Sequence, residues 1–187
     1  MTHPATVLYL EGKQALGDGR SMTDTSQTAL ALREGLRRLA KAVVVITCQH
    51  GGERFAMTAT AVSELSMEPP SLLICVNRSA SLYAPLSAKA GFCVNILHRA
   101  HTDISALCSG KAKGEARFAL GRWQAQAGGI PYLADAQASF LCRHEQSLNY
   151  GTHCIVIGLV EKVLIHGGVD PLVYVDGTYS HVCLPSG

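Results

Sequence analysis

Charge and aromatic side chains are scarce in this 187-residue chain: Asp, Glu, Lys and Arg make up 16% and Phe, Trp and Tyr 6%, with a net charge of +2. No Lys/Arg-rich block or basic–aromatic repeat occurs, which excludes the usual nucleic-acid-binding surfaces. No apolar run reaches the about 18 residues that a membrane-spanning helix requires. The opening MTHPATVLYLEGK lacks a basic stretch followed by a sustained apolar one, so cytoplasmic residence is expected. The seven cysteines (48, 75, 93, 108, 142, 154, 183) contain no CxxC pair, and His98 and His101 have no third ligand nearby in sequence. No metal site is expected, and the cysteines inside apolar runs read as reduced, buried, small hydrophobes. Gly17-Asp18-Gly19 starts a dinucleotide fingerprint, but Met22 stands at its third glycine and no βαβ unit surrounds it.

What remains is a chain that is 48% apolar, with no long polar tract and no repeat. It suits one domain that buries about 70% of its unfolded surface. Residues 1–25, rich in Gly, Thr and Ser, are expected to form an arm that packs on a neighbouring subunit or stays loose, and residues 26–187 the domain. Leu32, Leu36, Leu39 and Val43 recur at helical steps, predicting an amphipathic helix from Thr28 to Lys41, capped by Ser26 or Thr28, with Arg37 and Arg38 in solvent. Strands are expected at Ala42–Cys48, Arg54–Ser66 and Ser71–Val76, the last two separated by Glu68-Pro69-Pro70. A helix from Ser79 or Ser81 to Lys89, a strand Phe92–Leu97 and a helix Thr102–Ser109 follow. Gly110–Arg122 reads as a polar loop suited to a lid or to a partner. Strands at Ala136–Glu145, His153–Ile165 and Leu172–Val182 complete the chain. Many short strands, few helices and close turns predict a mainly β fold, a small antiparallel barrel with flanking helices.

The chemistry concentrates between residues 57 and 81. The segment Met57-Thr58-Ala59-Thr60-Ala61 offers hydroxyls among small side chains, and a fully apolar strand leads into Asn77-Arg78-Ser79-Ala80-Ser81. Hydroxyls and free backbone N–H groups at the start of a helix suit a phosphate, and small neighbours let a flat ring approach the backbone.

With its flanks, this segment resembles the flavin reductase family, the short-chain NAD(P)H:flavin oxidoreductases with an FMN-binding split barrel. The matching pieces are LREGLRRLAKAVVVIT, MTATAVSELSMEPPSLLICVNRSAS, FCVNIL, the GTHCIVIG run and LVYVDGTY, in the family's order from about Leu32 to Val182. The resemblance implies that Met57, Thr58, Ala59, Thr60 and Ala61 line the flavin. Cys75, Val76 and Asn77 then border its ring or ribityl chain, and Arg78, Ser79 and Ser81 its phosphate. It places Phe92 and Asn95 in the family's F-x-V-N-x-L strand, Tyr179 near the flavin or a partner subunit, and His153 at the nicotinamide face as the catalytic candidate. Each has a plainer reading: solvent-face threonines for Thr58 and Thr60, core for Phe92, backbone bracing for Asn95, and a surface residue for His153. Tyr174 and Trp123 read as packing residues. The implied activity is NAD(P)H-dependent reduction of FMN, or of FAD or riboflavin, by a homodimer that supplies reduced flavin to a separate monooxygenase. Nicotinamide would stack on the open flavin face without a Rossmann domain. The rival activities are electron carriage on a retained flavin, or reduction of a corrinoid or quinone.

Overall fold

The computed structural model describes residues 22–183 other than 127, with side chains from residue 26 onward. Most of the arm expected over residues 1–25 lies outside the described residues. The chain divides into two units that meet in sequence at Leu36 and Arg37. The first contains α1 (Met22–Leu36), which begins and ends earlier than the expected Thr28–Lys41. Ser26 and Thr28 therefore lie inside the helix and do not cap its start. Leu30, Leu32 and Leu36 are exposed. Arg37 is drawn away from a helical course by Asp176: its carbonyl accepts from Asp176 N at 2.8 Å and its Nε donates to Asp176 Oδ1 at 2.9 Å. It is paired rather than simply solvated, although an exposed pair of this kind adds little stability.

The second unit is mainly β. It opens with β1 (Lys41–Ala42), β2 (Val44–His50), β3 (Glu53–Ala59), β4 (Val62–Met67) and β5 (Pro70–Asn77). The short helix α2 (Tyr83–Ser87), β6 (Phe92–Ile96) and α3 (Thr102–Ala106) follow. After a wide turn at Leu107–Lys111 and a 3₁₀ turn at Gly114–Phe118 come β7 (Trp123–Ala125) and β8 (Pro131–Leu133). The long strands β9 (Ala138–Tyr150) and β10 (His153–Ile165) and the hairpin β11 (Leu172–Val175) and β12 (Thr178–His181) finish the unit.

Seven strands form one antiparallel sheet in the order β3-β2-β6-β9-β10-β5-β4. Its edge strands, β3 and β4, are consecutive in the chain and joined by Thr60 and Ala61 alone. Two residues cannot cross a flat sheet of seven strands about 4.8 Å apart. The sheet therefore curves enough to bring the end of β3 near the start of β4. The single strand expected over Arg54–Ser66 is broken at this point because the chain leaves one edge and enters the other. Leu172–Val182 also divides, at an Asp176-Gly177 turn with φ of 50° and 80°, the Asp-Gly signature of a tight hairpin. β10 spans the residues the pattern predicted, and β9 runs on beyond Glu145 to Tyr150.

β2 is buried on both faces, which is why it reads as a nearly unbroken apolar run rather than an alternating one. On the face closed by α2 lie Val44, Ile46, Ile74, Val76, Phe92 and Val156. On the opposite face, beneath α3, lie Val45, Ala56, Leu97, Ile104, Phe118 and Leu133. Cys48, Cys93, Cys108, Cys142 and Cys154 are buried, Cys75 is half-buried and Cys183 is exposed. Burial pushes the Cys48 and Cys142 thiols up to about 12 and that of Cys108 to about 11.

Two positions test this packing. A Cβ on Gly158 would lie 2.4 Å from Phe92 Cζ and 2.9 Å from Cys142 Cβ. Gly158→Ala is expected to lower stability by about 1–3 kcal/mol in denaturant titration, and Phe92→Leu in the same chain to recover part of it. His144 is 8% exposed and neither of its ring nitrogens has a hydrogen-bond partner. Burial holds its pKa below the ordinary value, with Lys89 adding and Glu145 opposing. The folded state thus binds this proton less readily than the unfolded state, so stability falls as pH drops below about 6.5. His144→Phe is expected to flatten the fall in Tm between neutral and acidic pH, and an unchanged slope would refute this origin.

Candidate functional site

The link from β3 to β4 lies against β5, and the predicted site residues divide according to the face they occupy. Within β3, Met57 and Ala59 pack onto the α2-face core, while Ala56 belongs to the opposite face. Thr58 points toward α3, where its Oγ1 donates to the Ser105 carbonyl at 2.7 Å. Thr60 and Ala61 form the link itself, and the Ala61 carbonyl accepts from Cys75 N at 3.0 Å. Val76 is fully buried in the α2-face core, leaving only its backbone available to a ligand.

Beyond Val76 the chain turns sharply. Asn77 Oδ1 accepts from both Ser79 N and Ser79 Oγ at 2.9 Å, and the Asn77 carbonyl accepts from Ala80 N at 2.9 Å. The expected helix from Ser79 or Ser81 to Lys89 is only Tyr83–Ser87, because Asn77–Ser81 is consumed by this turn. So short a helix gives no dipole of use to an anion. His153 stands opposite Asn77 in the β5–β10 ladder, with its Nδ1 2.9 Å from Thr152 Oγ1. Arg78 N donates to the Thr152 carbonyl at 3.0 Å, fastening the corner to the β9–β10 turn.

The third wall comes from the segment that the sequence suggested as a lid. It is tied to β3 rather than free. Arg54 pairs with Glu115 and its guanidinium lies 4.2 Å from the centre of the Phe118 ring. Phe118 is buried and packs edge-on against Trp123 with ring centres 5.1 Å apart. Arg117 donates from Nη1 to the Ala56 carbonyl at 2.6 Å and to Ser81 Oγ at 2.9 Å, and from Nε to the Ala112 carbonyl at 3.0 Å. Tyr179 reaches the same region, its hydroxyl 2.9 Å from Ser105 Oγ.

The structure thus links Asn77, Arg78, Ser79 and His153 at the end of β5, Ala61 to Cys75, Ser81 to β3 through Arg117, and Thr58 to Tyr179 through Ser105. It keeps two predicted residues apart from these links. Phe92 has no exposed surface and lies in the α2-face core. Asn95 is also fully buried: its Nδ2 donates to the Val45 carbonyl at 2.9 Å, and its Oδ1 accepts from Leu133 N at 2.9 Å and Ser139 Oγ at 2.8 Å. Its amide is spent on joining β2, β8 and β9. Ser105, which the sequence reading passed over, joins Thr58 to Tyr179, and nothing in its local sequence signals this. A cavity of about 780 Å³ opens on the α2 face of the same link, lined by Thr60, Ala61, Val62, Ile96, Phe140 and Val160. That is within the size range of small-molecule sites. A second, of about 510 Å³, lies elsewhere beside His98 and Asp170 and contains none of the predicted site residues.

This fold and corner define a flavin reductase. Residues 36–182 match the Flavin reductase like domain, and the chain belongs to that family. It is 40% identical over 153 residues to the FMN reductase (NADH) RutF of Variovorax paradoxus (strain S110), covering 82% of this chain and 85% of that protein. With the FMN reductase (NADH) RutF of Pseudomonas syringae pv. syringae (strain B728a), identity is 41% over 157 residues, covering 84% and 87%. Among solved structures, BorF, the flavin reductase component of a bacterial two-component tryptophan halogenase, superimposes with a TM-score of 0.76 at 26% identity, covering 82% of this chain and 98% of that one.

The bracing by Asn95 makes its own prediction. Asn95→Leu strands the buried Leu133 N–H and is expected to cost at least about 1–3 kcal/mol by thermal or denaturant unfolding. A variant as stable as the parent would remove the bracing role.

Proposed function

We propose that this protein is an NADH-dependent FMN reductase with a split-barrel fold, and that it supplies reduced flavin to a separate oxygenase. The observation that carries the reading is the corner itself. The turn after β5 carries the hydroxyls of Ser79 and Ser81 and the guanidinium of Arg78, and Arg117 reaches it through Ser81 Oγ. Such donors fit the phosphate of a flavin mononucleotide, and the small residues leave room for a flat ring against Thr60, Ala61 and Cys75. FMN, when bound, accepts the hydride of the nicotinamide and carries the redox chemistry.

The chain's own part is placement. Thr58, Asn77 and Tyr179 shape the floor and sides of the site. His153, exposed beside Asn77, is in place to orient the nicotinamide on the open face, which fits a site without a dinucleotide-binding fold. Both RutF relatives are named for NADH and FMN, and BorF is titled a component of a two-component system. These names support the choice of nucleotide, flavin and downstream use. Exposed apolar side chains such as Leu65, Met67, Leu148 and Ile165 support a homodimer.

Purified protein mixed with NADH and free FMN is expected to consume reduced-nicotinamide absorbance well above the protein-free control, and to do so more slowly with NADPH. Absence of oxidation with either nucleotide would overturn the reading. His153→Ala is expected to raise KM for NADH about tenfold while FMN affinity stays within about twofold. Equal loss for both ligands would assign His153 to the fold instead.

A further inference from the structure

Away from the corner, the 3₁₀ turn Arg99–His101 is held at both ends by imidazole rings. His98 Nδ1 accepts from Ala100 N at 3.1 Å, and His101 Nδ1 accepts from His98 N at 3.3 Å. This is a reciprocal capping box in which histidines stand where serine and glutamine are usual. A ring nitrogen accepts a hydrogen bond only while it carries no proton. Both rings therefore keep their one proton on Nε2, which faces a carboxylate. Asp170 Oδ2 lies 3.2 Å from His98 Nε2, and Asp135 Oδ2 lies 3.8 Å from His101 Nε2.

A second proton on either ring has two opposed effects. It strengthens the pull of the carboxylate, and it removes an acceptor from the box. The carboxylates are already shared, Asp170 with Arg99 at 2.8 Å and Asp135 with Arg122 at 3.9 Å. The adjoining cavity adds one further titratable group, His166, and no further carboxylate. The two rings lie edge to face with centres 5.8 Å apart, so two positive charges there repel. The His101 side chain is 12% exposed. Burial holds its pKa below the ordinary value, with Asp135 opposing and His98 adding. The folded chain thus binds this proton less readily than the unfolded one. The contribution of the turn to stability is complete above about pH 6.5 and falls below it.

We propose that His98 and His101 form an acid-sensitive latch: neutral, the pair fixes the Arg99–His101 turn and α3 behind it, and protonated, it releases both. The turn runs directly into α3, whose Ser105 ties Thr58 to Tyr179. Acid therefore loosens the anchor that these two side chains share. The latch stands apart from the proposed activity, and its test needs no flavin.

Backbone hydrogen exchange, corrected for the intrinsic rate of the unfolded chain, is followed at about pH 7.5 and about pH 5 in the parent and in the double variant His98→Ser with His101→Gln. In the parent, protection over residues 98–106 is expected to fall about tenfold in acid, while β2 and β6 stay within about twofold. That internal comparison separates the latch from His144, whose effect reaches the whole domain. The double variant has an ordinary capping box without a titrating ring, so its protection over the same residues is expected to be equal at both pH values. If the double variant does not fold, His101→Gln alone takes its place, with a smaller acid loss than the parent expected. Protection in the parent that is unchanged or rises in acid, a loss that spares residues 102–106, or a variant that keeps the parent's full loss overturns the proposal.

Discussion

One covalent constraint governs this molecule: two residues, Thr60 and Ala61, must carry the chain from one edge of a seven-stranded sheet to the other. The sheet has to curve to allow it. The link is tied to β5 where the Ala61 carbonyl accepts from Cys75 N, two residues before the turn that begins at Asn77. It also produces two distinct apolar layers, one closed by α2 and the other covered by α3 and the turns after it. Site and core are thus consequences of the same short link. The hydroxyls and small residues concentrated there have a structural reason as well as a chemical one, since bulky side chains would crowd the passage from β3 to β4.

Much of this was legible in the sequence. Strand content followed from β-branched runs, and β10 emerged with its predicted limits because bulk and turn residues bound it on both sides. The break at Thr60-Ala61 was hidden, because a strand that changes neighbours keeps its local pattern while its partners change. The hairpin at Asp176-Gly177 was different: its turn dipeptide is in plain view in the sequence. Helix limits slipped for a long-range reason. Arg37 is claimed by Asp176, far away in sequence, and no local pattern announces that.

The site separates along the same line. Residue types suited to a flavin tail were visible between residues 57 and 81, and the structure joins Asn77 to Ser79 and, through Arg117, Ser81 to β3. The resemblance also nominated Phe92 and Asn95, whose motif belongs to the strand that supports the site. Asn95 shows how a motif position can be fixed by architecture: a buried amide joins three strands through both of its ends. The ties of Gly110–Arg122 to β3 were hidden, because polar composition alone does not reveal that Arg54, Phe118 and Arg117 hold the segment there.

The burial of the cysteines has a consequence for durability. Reduced flavin released into aerated solution generates peroxide, and peroxide attacks thiolates far faster than thiols. Cys48, Cys108 and Cys142, with thiols held near 11 or 12 beneath packed strands, offer almost no thiolate at neutral pH. Five of the seven cysteines are thus kept from such attack by burial, whereas Cys75 is half-buried and Cys183 exposed.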